Sequence, residues 1–128
     1  MRKLALILVL GLVALVGLTL MGRSQDPVPL YPENYRVIFE NDKVRVLDFS
    51  LKQGATEKTH SHPAHVAVFL ADLKIRFTLP DGQTKIREAH AGEVAYSEAT
   101  SHASENIGST DAHGILVELK TPPSDGGR

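Results

Sequence analysis

Residues 35–120 form a succession of short strand-like runs separated by turn residues, and this pattern limits the possible folds more than any other feature. The runs at 44–51 and 73–79 are rich in Val, Ile, Leu and Phe, and Asp81 with Gly82 marks a tight turn before the next run. About nine such runs follow one another, and no window among them has the period and end signals of a helix. Short strands at this spacing predict an all-β domain, either a sandwich or a small barrel of the jelly-roll kind.

The start of the chain has a different character. Arg2 and Lys3 precede an apolar run at residues 4–21 that carries no charge. A charged start followed by an apolar stretch is typical of an export signal, and this run is also at the short limit of a membrane span. We therefore predict that residues 1–22 are a cleaved signal peptide or an uncleaved anchor in the inner membrane. Either would place the domain outside the cytoplasm, in the periplasm or the extracellular space.

Composition limits the remaining possibilities. Three prolines at residues 23–34 predict an extended linker before the domain at 35–120, and the tail at 121–128 is predicted to be disordered. The chain has no cysteine, so disulfides cannot stabilise the exported domain, and either burial alone or burial together with a metal must do so. A net charge of −1 without a basic patch argues against a nucleic-acid partner.

Three of the six histidines lie at residues 60–65, in the sequence HSHPAH. His60 and His62 are two positions apart, which places both side chains on one face of a strand. On the next strand His65 shares a face with Ala67 and Phe69, so it points into the barrel if that face is the inner one. Imidazoles presented by neighbouring strands are suitable ligands for a divalent transition metal.

This histidine group resembles the first motif of the cupin superfamily. In that motif a Gly is followed by five residues, His, any residue, His, and a Glu after three or four more. Here Gly54 is followed by His60 and His62 at the matching positions, and His65 stands, one residue early, where the family has Glu.

The second cupin motif has a partial counterpart further along the chain. Gly92, His102 and Asn106 match its Gly, His and Asn, but its Pro and inner Gly are absent and the spacing is one residue shorter. Glu98 stands where the family has Pro. The two motifs occur in the family's order within residues 35–120, so the chain is similar to a small single-domain cupin. The fold implied is a double-stranded β-helix, the cupin jelly-roll barrel.

The resemblance also implies a metal site and a small-molecule substrate. It assigns one divalent transition metal, Fe, Mn, Ni, Cu or Zn, to a set of histidines. Cupins commonly pair through edge strands, so the resemblance implies a homodimer as well. The predicted ligands are His60, His62, His65 and His102.

Three functions fit these features. The first is an exported, metal-dependent, non-haem dioxygenase-like enzyme acting on a small organic substrate. The second is a module that binds a metal or a small ligand without catalysis. The third is a metal-dependent lyase or isomerase of sugar-like acids, in which Tyr96 or Glu98 moves a proton.

Overall fold

The computed structural model describes residues 25–121. The predicted export segment and nearly all of the predicted disordered tail lie outside these residues. Within them, no helix has the length and apolar character needed to cross a membrane. The described elements are α1 (Pro27–Leu30), β1 (Tyr35–Glu40), β2 (Val44–Leu51), β3 (Thr56–His62), β4 (His65–Phe69), β5 (Leu73–Thr78), β6 (Thr84–Ala89), β7 (Val94–Ser97), β8 (Thr100–Asn106) and β9 (Ala112–Leu119).

The strands form two antiparallel sheets that pack face to face. The larger sheet has the order β1-β2-β9-β4-β7, and the smaller has the order β3-β8-β5-β6. Every second residue of a strand points inward, and these residues build a core that includes the buried side chains of Leu47, Leu51, Phe69, Ile75 and Leu116. The prediction of an all-β jelly-roll barrel is confirmed.

Strand β8 begins earlier than the sequence predicts. The sequence pattern predicts a strand over residues 102–107, but the structure starts it at Thr100, so that His102 lies inside it. The cause is pairing with β3, in which His62 lies opposite Thr100 and His60 lies opposite His102. The backbone of β3 needs these partners, and residues before His102 supply them.

The described part of the predicted linker, residues 25–34, packs against the barrel. Asp26 caps the helical turn α1 by accepting a hydrogen bond from the Val28 amide at 3.0 Å, and Pro27, the first residue of the turn, is buried. Arg45 of β2 donates two hydrogen bonds to the Asp26 carboxylate, at 2.8 and 3.0 Å. Proline suits the first position of a helix as well as an extended linker, so its presence did not distinguish the two.

Candidate metal centre

Strands β3 and β8 bring three histidines together between the sheets. His60 and His102 face each other in register, and their ring centroids are 5.0 Å apart. His62 follows on the same face, with its ring centroid 5.0 Å from that of His60 and 5.5 Å from that of His102. One ligand nitrogen from each ring lies within 4.8 Å of the other two, which is close enough for a single ion to contact all three.

His65 lies beside this cluster on the opposite sheet. It points into the barrel with Ala67 and Phe69, as the alternation along β4 predicts. Its ring centroid is 5.3 Å from that of His62. Among the described residues, the cluster defined by the 4.8 Å spacing contains the other three histidines and not His65. The structure therefore places His65 next to the cluster, as a fourth imidazole facing the same space.

Backbone carbonyls hold two of these rings in one tautomer. The Nδ1 atom of His60 lies 2.8 Å from the Lys58 carbonyl oxygen, and that of His65 lies 2.8 Å from the Pro63 carbonyl oxygen. A carbonyl oxygen can only accept, so Nδ1 carries the proton in both rings and Nε2 keeps its lone pair. An imidazole in this state offers Nε2 to a metal.

A buried carboxylate faces the third ring. The Oε2 atom of Glu118, on β9, lies 3.4 Å from the Nδ1 atom of His62, which is longer than a well-formed hydrogen bond. Neither atom has another hydrogen-bond partner among the residues of the structure, and both are buried. A proton on His62 Nδ1, directed at Glu118, would leave its Nε2 as the donor atom. The residues present thus fit a metal: the rings of His60, His62 and His65 are oriented, and a carboxylate lies behind the ring of His62.

Arg45 neutralises the charge of this buried carboxylate. Its Nε donates to Glu118 Oε1 at 2.6 Å, and its other nitrogens bind Asp26. Burial raises the pKa of Glu118, but the contacts with His62 and with the Arg45 guanidinium outweigh it and leave the pKa below its ordinary value. Glu118 is therefore ionised at neutral pH.

A second buried carboxylate, Glu57, lies below the cluster. It accepts hydrogen bonds from Tyr35 at 3.0 Å, from Ser104 at 2.7 Å and from Asn34 at 2.9 Å. Its Oε1 is 3.9 Å from His60 Nε2. Because these hydrogen bonds hold its carboxylate, Glu57 anchors this side of the site. The Tyr35 hydroxyl also lies 3.4 Å from His60 Nε2, the atom that would face a metal. Sequence reasoning missed Glu57 and Glu118, although Glu118 shares the parity of the inward-facing Leu116 on β9.

Burial disfavours the charged form of His60, His65 and His102. It lowers the pKa values of His60 and His65, and the backbone hydrogen bonds only partly oppose this effect. The pKa of His102 falls to about 3, because of burial first and then of repulsion from His62, His60 and His65. Neutral imidazoles are the form that binds a metal, so the site is ready for an ion at neutral pH.

A cavity of about 610 Å³ extends from the histidines to the solvent between the two sheets. Its walls are mostly apolar and include Phe49, Phe69, Ile75 and Leu116. Phe77 packs against His102 with 4.4 Å between the ring centroids. A cavity of this volume suits a small organic molecule.

The two residues predicted to move a proton differ in their placement relative to the cavity. Tyr96 lies opposite Val66 on β4, on the outer face of the sheet, and is 54% exposed. The prediction of Tyr96 as a catalytic group does not fit this placement, because the alternation along β7 directs Ala95 and Ser97, not Tyr96, into the cavity. Glu98 does line the cavity mouth, where it accepts a hydrogen bond from the Tyr96 hydroxyl at 3.2 Å.

Solved structures with the same architecture include cupins. A cupin domain from Bordetella pertussis superposes with a TM-score of 0.62 and 20% identity, covering 68% of this chain and 92% of that one. An RmlC-like cupin family protein with a double-stranded β-helix fold, from Methanocaldococcus jannaschii, gives 0.53 and 15%, covering 66% and 77%.

A larger protein contains the same architecture. Bacillus subtilis oxalate decarboxylase, described for its Mn(II) centres, superposes with a TM-score of 0.50 and 19% identity, covering 68% of this chain and 24% of that one. No family model and no curated protein matches the sequence. At these identities the structural matches establish the fold. The chain has the cupin fold, and the resemblance predicted from its two motifs is confirmed at that level.

Proposed function

We propose that this chain is an exported metal-dependent cupin enzyme, a non-haem dioxygenase-like protein that acts on a small organic substrate. The observation that carries the proposal is the buried cluster of His60, His62 and His102, of which His62 and His102 line a cavity of about 610 Å³ that opens to solvent. A ligand set without a carboxylate leaves the full charge of a divalent ion available to a substrate.

Each part of the chain has a role in this proposal. His60, His62 and His102 hold one divalent transition metal, and His65 is placed to join them. When bound, such an ion supplies Lewis-acid and redox chemistry at its open coordination positions. The apolar walls, with Phe77 against His102, orient the substrate and exclude water. Glu98 at the mouth is placed to accept a proton from an entering hydroxyl group.

A metal-dependent lyase is the second candidate. Glu98 lies in the cavity wall as an acid–base group, and the fold is shared with a Mn(II) oxalate decarboxylase. Such an enzyme would turn over without oxygen, whereas a dioxygenase would stop. A third role, binding of a metal or ligand without catalysis, predicts metal uptake and no turnover under either condition. Export and pairing of two copies stay predictions.

The deciding experiment is elemental analysis of the purified protein without a histidine tag, followed by a substrate screen in an oxygen electrode. We expect about one equivalent of iron, manganese, nickel or copper per chain, and oxygen uptake with an enol, diol or diketone substrate. Turnover that continues without oxygen would assign the lyase instead. No metal after reconstitution near neutral pH would reject both enzymes. His62→Ala should abolish stoichiometric metal binding. Its matched control is His90→Ala, at an exposed histidine outside the cavity.

A further inference from the structure

Two positive charges point toward the mouth of the cavity from the edge strand β6. Lys85 lies opposite Phe77 and Arg87 lies opposite Ile75 in the β5–β6 pairing. Phe77 and Ile75 line the cavity, and both cationic residues line it as well. Because directly opposed residues share a face of the sheet, Lys85 and Arg87 belong to the inner face, at its solvent-exposed edge.

These inward cations differ from the outward cations of the same hairpin. On the outer face, Lys74 pairs with Glu88 at 3.1 Å and Arg76 pairs with Glu105 at 3.1 Å. In the part of the chain that the structure describes, neither Lys85 nor Arg87 has a carboxylate oxygen within 4.0 Å of its charged nitrogens. The hairpin therefore pairs its outer charges internally and leaves its cavity-facing charges available.

The acidic groups at the mouth do not cancel these charges. Glu88 is bound to Lys74. Glu98 keeps its negative charge, since the Tyr96 hydroxyl that bonds to it is neutral, and it can offset only one of the two positive charges. The mouth thus presents an unpaired positive edge to anything that enters the cavity.

Strand spacing sets the distance between this edge and the histidines. Lys85 on β6, Phe77 on β5 and Ser104 on β8 lie side by side, and neighbouring strands are about 4.8 Å apart. The backbones of Lys85 and Ser104 are therefore roughly 10 Å apart. His102 follows two positions from Ser104 on the same face, and the Phe77 ring packs on it. The cationic edge and the histidine cluster form the two ends of one cavity, with an apolar wall between them.

We propose that Lys85 and Arg87 form an anion-binding subsite, and that the substrate is an organic acid with an apolar body. Its carboxylate binds at the mouth, where a guanidinium can donate two parallel hydrogen bonds. Its apolar body lies along Phe77 and Phe69, and its opposite end faces the histidines. The role of that end rests on the proposed function, whereas the anion subsite depends only on the cavity and its charges.

A matched pair of ligands tests the subsite. Isothermal titration of the full-length protein, metal-free and metal-loaded, would compare 4-phenylbutyrate with its neutral amide, 4-phenylbutyramide. We expect the acid to bind at least about tenfold more tightly than the amide, because only the acid gains the charged contacts. The Lys85→Gln, Arg87→Gln double variant should reduce the affinity for the acid to that for the amide and leave the affinity for the amide unchanged. Unchanged binding of the amide also shows that the variant is folded.

The control is the Arg36→Gln, Lys43→Gln double variant, which removes the same number of charges from exposed positions outside the cavity lining. It should keep the preference for the acid. Equal affinities for acid and amide, an undiminished preference in the inner variant, or no binding of either ligand would each overturn the subsite. Because the metal-free protein is measured too, a preference for the acid without metal uptake or turnover would sustain the subsite and reject the enzyme. Turnover without a preference for acids would sustain the enzyme and reject the subsite.

Discussion

At the scale of single residues, Glu118 connects the histidine cluster to Arg45 and so to the rest of the protein. It is 1% exposed, it faces His62 Nδ1 at 3.4 Å, and Arg45 balances its charge. A carboxylate in this position fixes the orientation of the ring and raises the basicity of the opposite nitrogen. Such a residue supports metal binding without contacting the metal itself.

We therefore expect Glu118→Gln to weaken metal affinity by about 10- to 100-fold. The amide keeps the shape of the side chain and removes the negative charge that faces His62. Glu105→Gln is the matched control, because Glu105 is a carboxylate paired with Arg76 on the outer surface. Competition against a chromogenic chelator measures the affinity of both variants. The same affinity in Glu118→Gln as in wild type would show that Glu118 does not support the site.

The four histidines should differ in their contribution. His62 lies within the cluster, so His62→Ala should abolish stoichiometric metal binding. His65 lies outside the 4.8 Å group, so His65→Ala should reduce metal affinity several-fold and leave one site per chain. Metal content after dialysis, with His90→Ala as the exposed control, separates the two outcomes. Wild-type affinity in His65→Ala would remove His65 from the site.

At the scale of the elements, strands with strong local signals were predictable and elements defined by distant partners were not. The strands predicted at residues 44–51, 56–62 and 84–89 agree with β2, β3 and β6, because β-forming residues and flanking turns define them locally. The start of β8 was missed since it is set by pairing with β3 across the sheet. The same reason explains Tyr96: its face depends on the pairing of β7 with β4, which no local pattern reveals.

The turn at Asp26 offers a test of how firmly the N-terminal part of the domain is held. Asp26 both caps α1 and binds Arg45, and the two side chains are 34% and 20% exposed. Asp26→Asn keeps a good cap and loses the ion pair, so we expect the free energy of unfolding to fall by about 0.5–1 kcal/mol. Asp26→Ala loses both, and we expect a fall of roughly 1–2 kcal/mol. Urea denaturation measures both changes. Wild-type stability in Asp26→Ala would show that this turn does not contribute to the fold.

At the scale of the whole molecule, the buried histidine cluster places an energetic demand on the barrel. The chain keeps several imidazoles neutral between two sheets and balances the ionised Glu118 with Arg45. The motifs predicted the histidines from the sequence alone, but the neutrality of the cluster and its buried carboxylates arise only when the sheets close over them. The fold and the grouping of the histidines were therefore predictable, while the electrostatics around them depended on packing.

The burial of these imidazoles predicts how the free energy of unfolding depends on pH when no metal is bound. The pKa values of His60, His65 and His102 are lowered in the folded state, so below their ordinary value of 6.5 the unfolded chain binds more protons than the folded one. The free energy of unfolding should therefore fall as pH drops from about 6.5 toward the folded pKa, which is about 3 for His102. His102 alone should account for roughly 1 kcal/mol between about pH 7.5 and about pH 5.5.

Urea denaturation of the chelator-treated protein at several pH values measures this loss. His102→Gln should reduce the pH dependence in that range, because the variant no longer has an imidazole that protonates only on unfolding. His90→Ala, at an exposed position, should retain the wild-type dependence. A bound metal holds the ligands unprotonated in the folded state, so adding it should raise stability at neutral pH and steepen the loss on the acid side. Stability that stays constant from about pH 7.5 to about pH 5.5 would mean that these imidazoles protonate inside the folded barrel, and a cluster that accepts protons so readily would be a poor metal site at neutral pH.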